Sequence, residues 1–200
     1  MEEIGHLRPE GGKNAALDGA AEDVQEDITE QKSGGLQRTE KSDIMSFRMA
    51  ETGGWRNETP LTSDQIAAAE QMARSQGYEG DIAYSEHENT AFIGFSDGTR
   101  LLIIGTDAYP SETPCNANEA LPIKAAIAHE TVGHYEAWLR GSVKENRVLD
   151  EVQASVRAAR FAADLTIEER DALMQDAFFR LKKANLSFEE IKDQLDIEER

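Results

Sequence analysis

His129, Glu130 and His134 stand close together in the segment His129-Glu130-Thr131-Val132-Gly133-His134. Neutral imidazoles with a carboxylate nearby are the donor set that zinc favours. In the common His-Glu-x-x-His pattern the two His are four residues apart and share a helix face. The Glu beside the first His then acts as general base toward a metal-activated water. Here the second His is five places on. Five residues of regular α-helix rotate by ~140°, which points the rings apart. One extra residue in the turn, a π-bulge, restores the shared face, and such bulges favour functional sites. The spacing therefore predicts a distorted turn at Thr131–Gly133, with Gly133 making the distortion cheap.

A catalytic zinc needs a third protein ligand and an open position. An acid-bearing helix follows at about 145–163. Its apolar stripe is Val148, Val152, Val156, Ala159 and Ala163. Glu151 lies at the border of that stripe and is the favoured third ligand. Asp150 points further away, and Glu145, which projects near the stripe, competes. In this reading His129, His134 and Glu151 hold Zn2+, and Glu130 is the catalytic base and then the proton donor.

His-Glu-x-x-Gly-His is the zinc motif of the dipeptidyl-peptidase III family of metallopeptidases, and His129–His134 resembles it at every fixed position. Asp150-Glu151-Val152-Gln153-Ala154-Ser155 is similar to that family's second motif, Glu-Glu-x-x-Ala-Glu/Asp. By position the resemblance makes Glu151 the third ligand and Asp150 a supporting group. Ser155 departs from it, standing where an acid is expected. The gap between the motifs is also shorter, closer to that of gluzincins such as thermolysin-like enzymes. The likeness covers two short motifs and implies a zincin-like metallohydrolase acting on a peptide or protein substrate.

These residues need elements to hold them. Thr62 with Gln65, Thr166 with Glu169 and Ser187 with Glu190 are capping-box pairs. They open helices at about 62–76, 166–184 and 187–198. Pro122 suits the start of the helix that carries His129, and this helix ends near Gly141. Ile82–Tyr84, Ala91–Phe95 and Arg100–Ile104 read as strands, with Asp97-Gly98 as a hairpin turn. The fold class expected is α+β: a small antiparallel β-meander, then a zincin-like core of about four helices. The strand Arg100–Ile104 is expected to border the cleft and pair with an extended peptide. Leu173, Met174, Ala177, Phe178 and Leu181 form a helical stripe that reads as core.

Residues 1–54 read as a disordered acidic tail, with 12 Asp and Glu against 6 Lys and Arg and few apolar residues to offset the entropy of ordering. Ile44-Met45-Ser46-Phe47-Arg48-Met49 is the exception, a patch able to dock on the domain or on a partner. The catalytic domain is expected over 55–200. A formal net charge of -18 argues against nucleic acid or an anionic membrane as partner. Cys115 is the single cysteine, so no internal disulfide forms. With neither a basic nor an apolar leader near Met1, the expected location is cytoplasmic, with secretion as an effector open. His87 and Cys115 read as loop residues. Tyr84 and Tyr109 are candidates to stabilise an oxyanion, while Tyr135 and Trp138 read as packing residues. The alternative function is a non-enzymatic helical interaction protein whose His pair is incidental; its two rings and Glu151 would then not converge.

Overall fold

The structure, a computed structural model, describes residues 57–200. The acidic tail, its Ile44–Met49 patch and the expected domain start at Trp55 lie outside the described residues. The elements run in the order α1 (Ser63–Ser75), β1 (Asp81–Ser85), β2 (Ala91–Gly94), β3 (Arg100–Gly105) and a 3-10 turn (Thr106–Ala108). Then come α2 (Ile123–Ala128), a π-helical segment (His129–Tyr135) and α3 (Glu136–Leu139). These three join end to end in helical backbone. The chain closes with α4 (Arg147–Phe161), α5 (Ile167–Lys183), α6 (Phe188–Ile191) and a 3-10 turn (Lys192–Gln194). The class is α+β.

Local chemistry sets the helix starts. Thr62, Thr166 and Ser187 each close a capping box with Gln65, Glu169 and Glu190. Asn146 caps α4 by accepting the Val148 and Leu149 N–H groups. Each cap contributes roughly 1 kcal/mol. The last helix, expected to reach about 198, ends at Ile191. Past it the chain turns so that Leu195 and Ile197 bury beside Val152, Val156 and Leu181. The main-chain oxygens of Asp196 and Glu199 accept from Arg157 Nη1 at 2.7 and 3.2 Å. A continued helix would bond its own carbonyls instead.

The sheet is not a meander. Its strand order is β1-β3-β2, with β1 parallel to β3 and β2 antiparallel to it. The expected hairpin joins β2 to β3, and Gly98 takes a φ of +88° in its turn. The short loop from β1 to β2 is what the meander reading missed. It crosses over the end of β3 at Gly105. A Cβ there would sit 2.3 Å from Glu88 O and 2.7 Å from Thr90 N, so only glycine admits the crossing. The Asp107 carboxylate pins the loop by accepting the Thr90 N–H and O–H at 2.6 and 2.7 Å. Thr90 Oγ1 in turn accepts the Gly105 N–H at 3.0 Å. This crossing moves β2 to the far side of β3. β3, expected to offer a pairing edge, is therefore central, and β1 and β2 are the edge strands.

The α2–π–α3 run lies between two apolar layers. On one side Ile127 and Tyr135 pack with Leu102 and Ile104 of the sheet, Ala69 and Ala73 of α1, and Tyr78 of the turn that joins α1 to β1. On the other, Ala125, Ala128 and Val132 pack with Ala158 and Ala159 of α4 and Leu173 of α5. In the stripe expected on α5, Leu173, Ala177 and Leu181 are buried but Phe178 is 46% exposed. Phe178 instead meets Phe188 edge-on, at 6.3 Å between ring centroids.

Candidate metal centre

The five-residue spacing is absorbed by π-helical backbone over His129–Tyr135. Both rings thus reach one side of the run, with centroids 4.9 Å apart. Gly133 contributes through close approach. A Cβ on it would meet Ala154 O at 2.6 Å and Ala154 Cβ at 2.7 Å, so its bare backbone lets the π segment lie directly against α4. That contact brings the acids of the first α4 turns to the histidines.

Glu151 Oε2 lies 3.3 Å from His129 Nε2 and 4.0 Å from His134 Nε2. One ligand atom from each of His129, Glu130 and His134 also falls within 4.8 Å of the others. The other ring nitrogens are engaged behind the site. His134 Nδ1 lies 3.2 Å from Asp150 Oδ2. His129 Nδ1 lies 3.0 Å from Ser155 Oγ, and Ser155 donates to Asp176 Oδ2 at 2.7 Å.

Proton bookkeeping follows from the ionised acids. Burial pushes the Asp176 carboxyl up, but the Arg180 and His129 charges outweigh it and hold it below the usual range. An ionised Asp176 only accepts, so it takes the Ser155 proton. Ser155 Oγ can then accept the His129 Nδ1–H. Burial likewise opposes ionisation of Asp150, and the hydrogen bond from His134 overcomes it. His134 is raised to about 9, burial being outweighed by Asp150, Glu130 and Glu151. Burial also opposes ionisation of Glu151, yet the His129 hydrogen bond and the Arg180 charge hold it well below the usual carboxylate range.

Glu130 differs from its neighbours. Burial raises its carboxyl above the ordinary value, more than the two histidines lower it. Its Oε2 accepts the Phe92 N–H at 2.9 Å, a β2 amide that points away from β3. The edge strand thus aims the carboxylate. A half-buried carboxyl with a raised pKa beside two imidazoles is suited to exchanging a proton.

Asp176 and Arg180 escaped the sequence reading. Both sit on α5, four residues apart, with Arg180 Nε donating to Asp176 Oδ2 at 2.8 Å and Nη1 lying 2.9 Å from Glu151 Oε2. The available signal was an acid beside buried Leu173 and Ala177, paired with a cation one turn on. Among the other candidates, Glu145 is exposed and precedes α4. Asp150 lies against His134 Nδ1, and His87 and Cys115 are exposed. Tyr84 and Tyr109 pack in the sheet-side core, where Tyr84 Oη accepts the Leu61 N–H at 2.8 Å. Tyr135 and Trp138 pack around Phe92.

No protein-family model, curated protein or solved structure matches the chain in the three comparisons made. Among the described residues, no helix is long and apolar enough to cross a membrane.

Proposed function

We propose that this chain is a zinc-dependent hydrolase acting on peptide bonds. The reading rests on one observation: the Nδ1 atoms of His129 and His134 are held from behind, while both Nε2 atoms face Glu151 Oε2. That is how zinc sites fix their histidines, with a carboxylate or a relay on one ring nitrogen and the metal on the other. The donor set fits zinc, being two imidazoles and one carboxylate. The charge fits as well. Glu130, Asp150, Glu151 and Asp176 gather around the rings, with Arg180 the permanent cation paired to them among the described residues.

Zinc held by His129, His134 and Glu151 would supply Lewis acidity there. Glu130 takes the proton from the attacking water and delivers it to the leaving amine. Phe92 holds that carboxylate in line through its N–H. β2, an edge strand directly beside Glu130, offers main-chain groups to an extended peptide, which favours peptide over other substrates. The likeness of the two short motifs to those of metallopeptidases points the same way.

Purified protein should carry zinc one-to-one, and the His129→Ala/His134→Ala double variant should carry none. Zinc-free wild type, or a double variant that retains the metal, overturns the site. Glu130→Gln should keep its zinc and lose hydrolysis of a mixed peptide library; undiminished cleavage removes Glu130 as base.

A second reading has its own observation. Arg180 Nη1 lies 2.9 Å from the same Glu151 oxygen that faces both histidines. Arg180 and a protonated His134 pair with Glu151, Asp150 and Asp176 as a metal-free ion-pair network, leaving a non-enzymatic interaction domain. That network predicts no stabilisation by zinc.

A further inference from the structure

The two faces of the sheet are treated differently. Ile82, Tyr84, Phe92, Leu102 and Ile104 point into the core shared with α1 and the π segment. Alternation puts the residues between them on the other face. The register aligns Ala83 and Ala91 beside Ile103, and Ile93 beside Leu101. These five are apolar, with exposed Asp81 of β1 beside Leu101 at one corner, and none joins a buried core cluster among the described residues. Ile93 is 36% exposed, and Phe95, one residue beyond β2 in the same row, is 44% exposed. Contiguous apolar surface of this kind marks a docking site.

We infer that this outer sheet face is covered by the chain's own segment Met45–Met49. Met45, Phe47 and Met49 recur at every second position, the spacing that lays three apolar side chains on one flat surface. The chain outside the described residues ends in the right place. Asn57 Nδ2 donates to Thr106 O at 3.1 Å, so the segment enters next to the residue that follows β3. Ile103 lies three residues before Thr106, roughly 10 Å along the strand. Eight residue steps lead from Met49 to Asn57, a reach of up to about 26 Å, with Gly53-Gly54 free to turn the chain. In a leader otherwise poor in apolar residues, this patch is the part with chemistry to match the face.

Hydrogen exchange on the full chain tests the docking. Amides from Met45 to Met49 should exchange at least about tenfold more slowly than amides of 20–40 in the same chain, as local burial requires. Ile93→Asp should abolish that protection while amides of α1 keep theirs. Phe47→Asp, outside the described fold, should free Met45 and Met49 equally, which separates lost docking from lost folding. Equal exchange across 20–49 in the wild type overturns the inference, and so does protection that survives both substitutions. Protection that disappears on dilution while the mass falls from dimer to monomer also overturns it, by assigning the face to a second copy. None of these readings depends on zinc or on catalysis.

Discussion

Ser155 carries the argument at the scale of single residues. It stands where the resembled motif has an acid, yet its hydroxyl passes on the charge of Asp176, an acid from the next helix. The charge reaches His129 through one intervening oxygen. Ser155→Ala leaves the His129 Nδ1–H unpartnered in a buried place, while Asp176 keeps Arg180 and Asn118. Zinc affinity, read by chelator competition, should fall by about 10–100-fold. A change below about twofold would remove the relay. Asp176 itself sets a pH dependence. Its folded pKa is lowered, so its contribution to stability is present above the unfolded value of ~3.9 and is lost as pH falls through the folded one. Asp176→Asn should be less stable than wild type by about 3 kcal/mol at pH 7, since it strips a buried partner from Arg180. In urea melts the gap should narrow below about pH 4. A constant gap down to pH 3 would show that the carboxylate's charge is not what matters.

At the scale of elements, two glycines divide the labour. Gly133 lets the π segment rest on α4, and Gly105 lets the β1–β2 loop cross β3 so that β2 reaches Glu130. Both substitutions to alanine press a Cβ against backbone and should cost about 1–3 kcal/mol. Their functional signatures should differ. Gly133→Ala parts the histidines from Glu151 and should lower zinc content. Gly105→Ala displaces the strand that aims the base, so hydrolysis per bound zinc should fall while zinc content holds. Metal analysis beside peptide turnover distinguishes them; the same pattern in both variants would break the assignment. The two also differ in legibility. A gap of five between His129 and His134 has one helical solution, so the π turn could be read from spacing alone. Capping boxes at Thr62, Thr166 and Ser187 are equally local signals. The crossing at Gly105 is not local. Three short strands in a row suggest a meander, and only the packing of Glu88 and Thr90 over a bare Cα reveals the other order. Asp176 and Arg180 were hidden for a related reason: their partners are 21 and 29 residues away in sequence, on α4.

At the scale of the whole molecule, the candidate ligands tie separate layers together. His129 and His134 come from the run between the two cores, Glu151 from α4, and the supporting Asp176 and Arg180 from α5. A metal joining these layers binds only when they are docked, so its binding energy becomes folding energy. A net charge of -18 adds a field that draws cations toward the protein. At free zinc about 100 times the Kd, mass action adds about 2.7 kcal/mol. For a domain of this size that corresponds to a rise in Tm of about 5–10 °C. Melting the metal-stripped protein with and without zinc measures it. The rise should reverse with chelator and be absent from His129→Ala/His134→Ala. Magnesium should not replace zinc, because imidazole nitrogens are poor ligands for it. A Tm indifferent to zinc would instead favour the ion-pair network, in which Arg180 and His134 already pair with Glu151, Asp150 and Asp176.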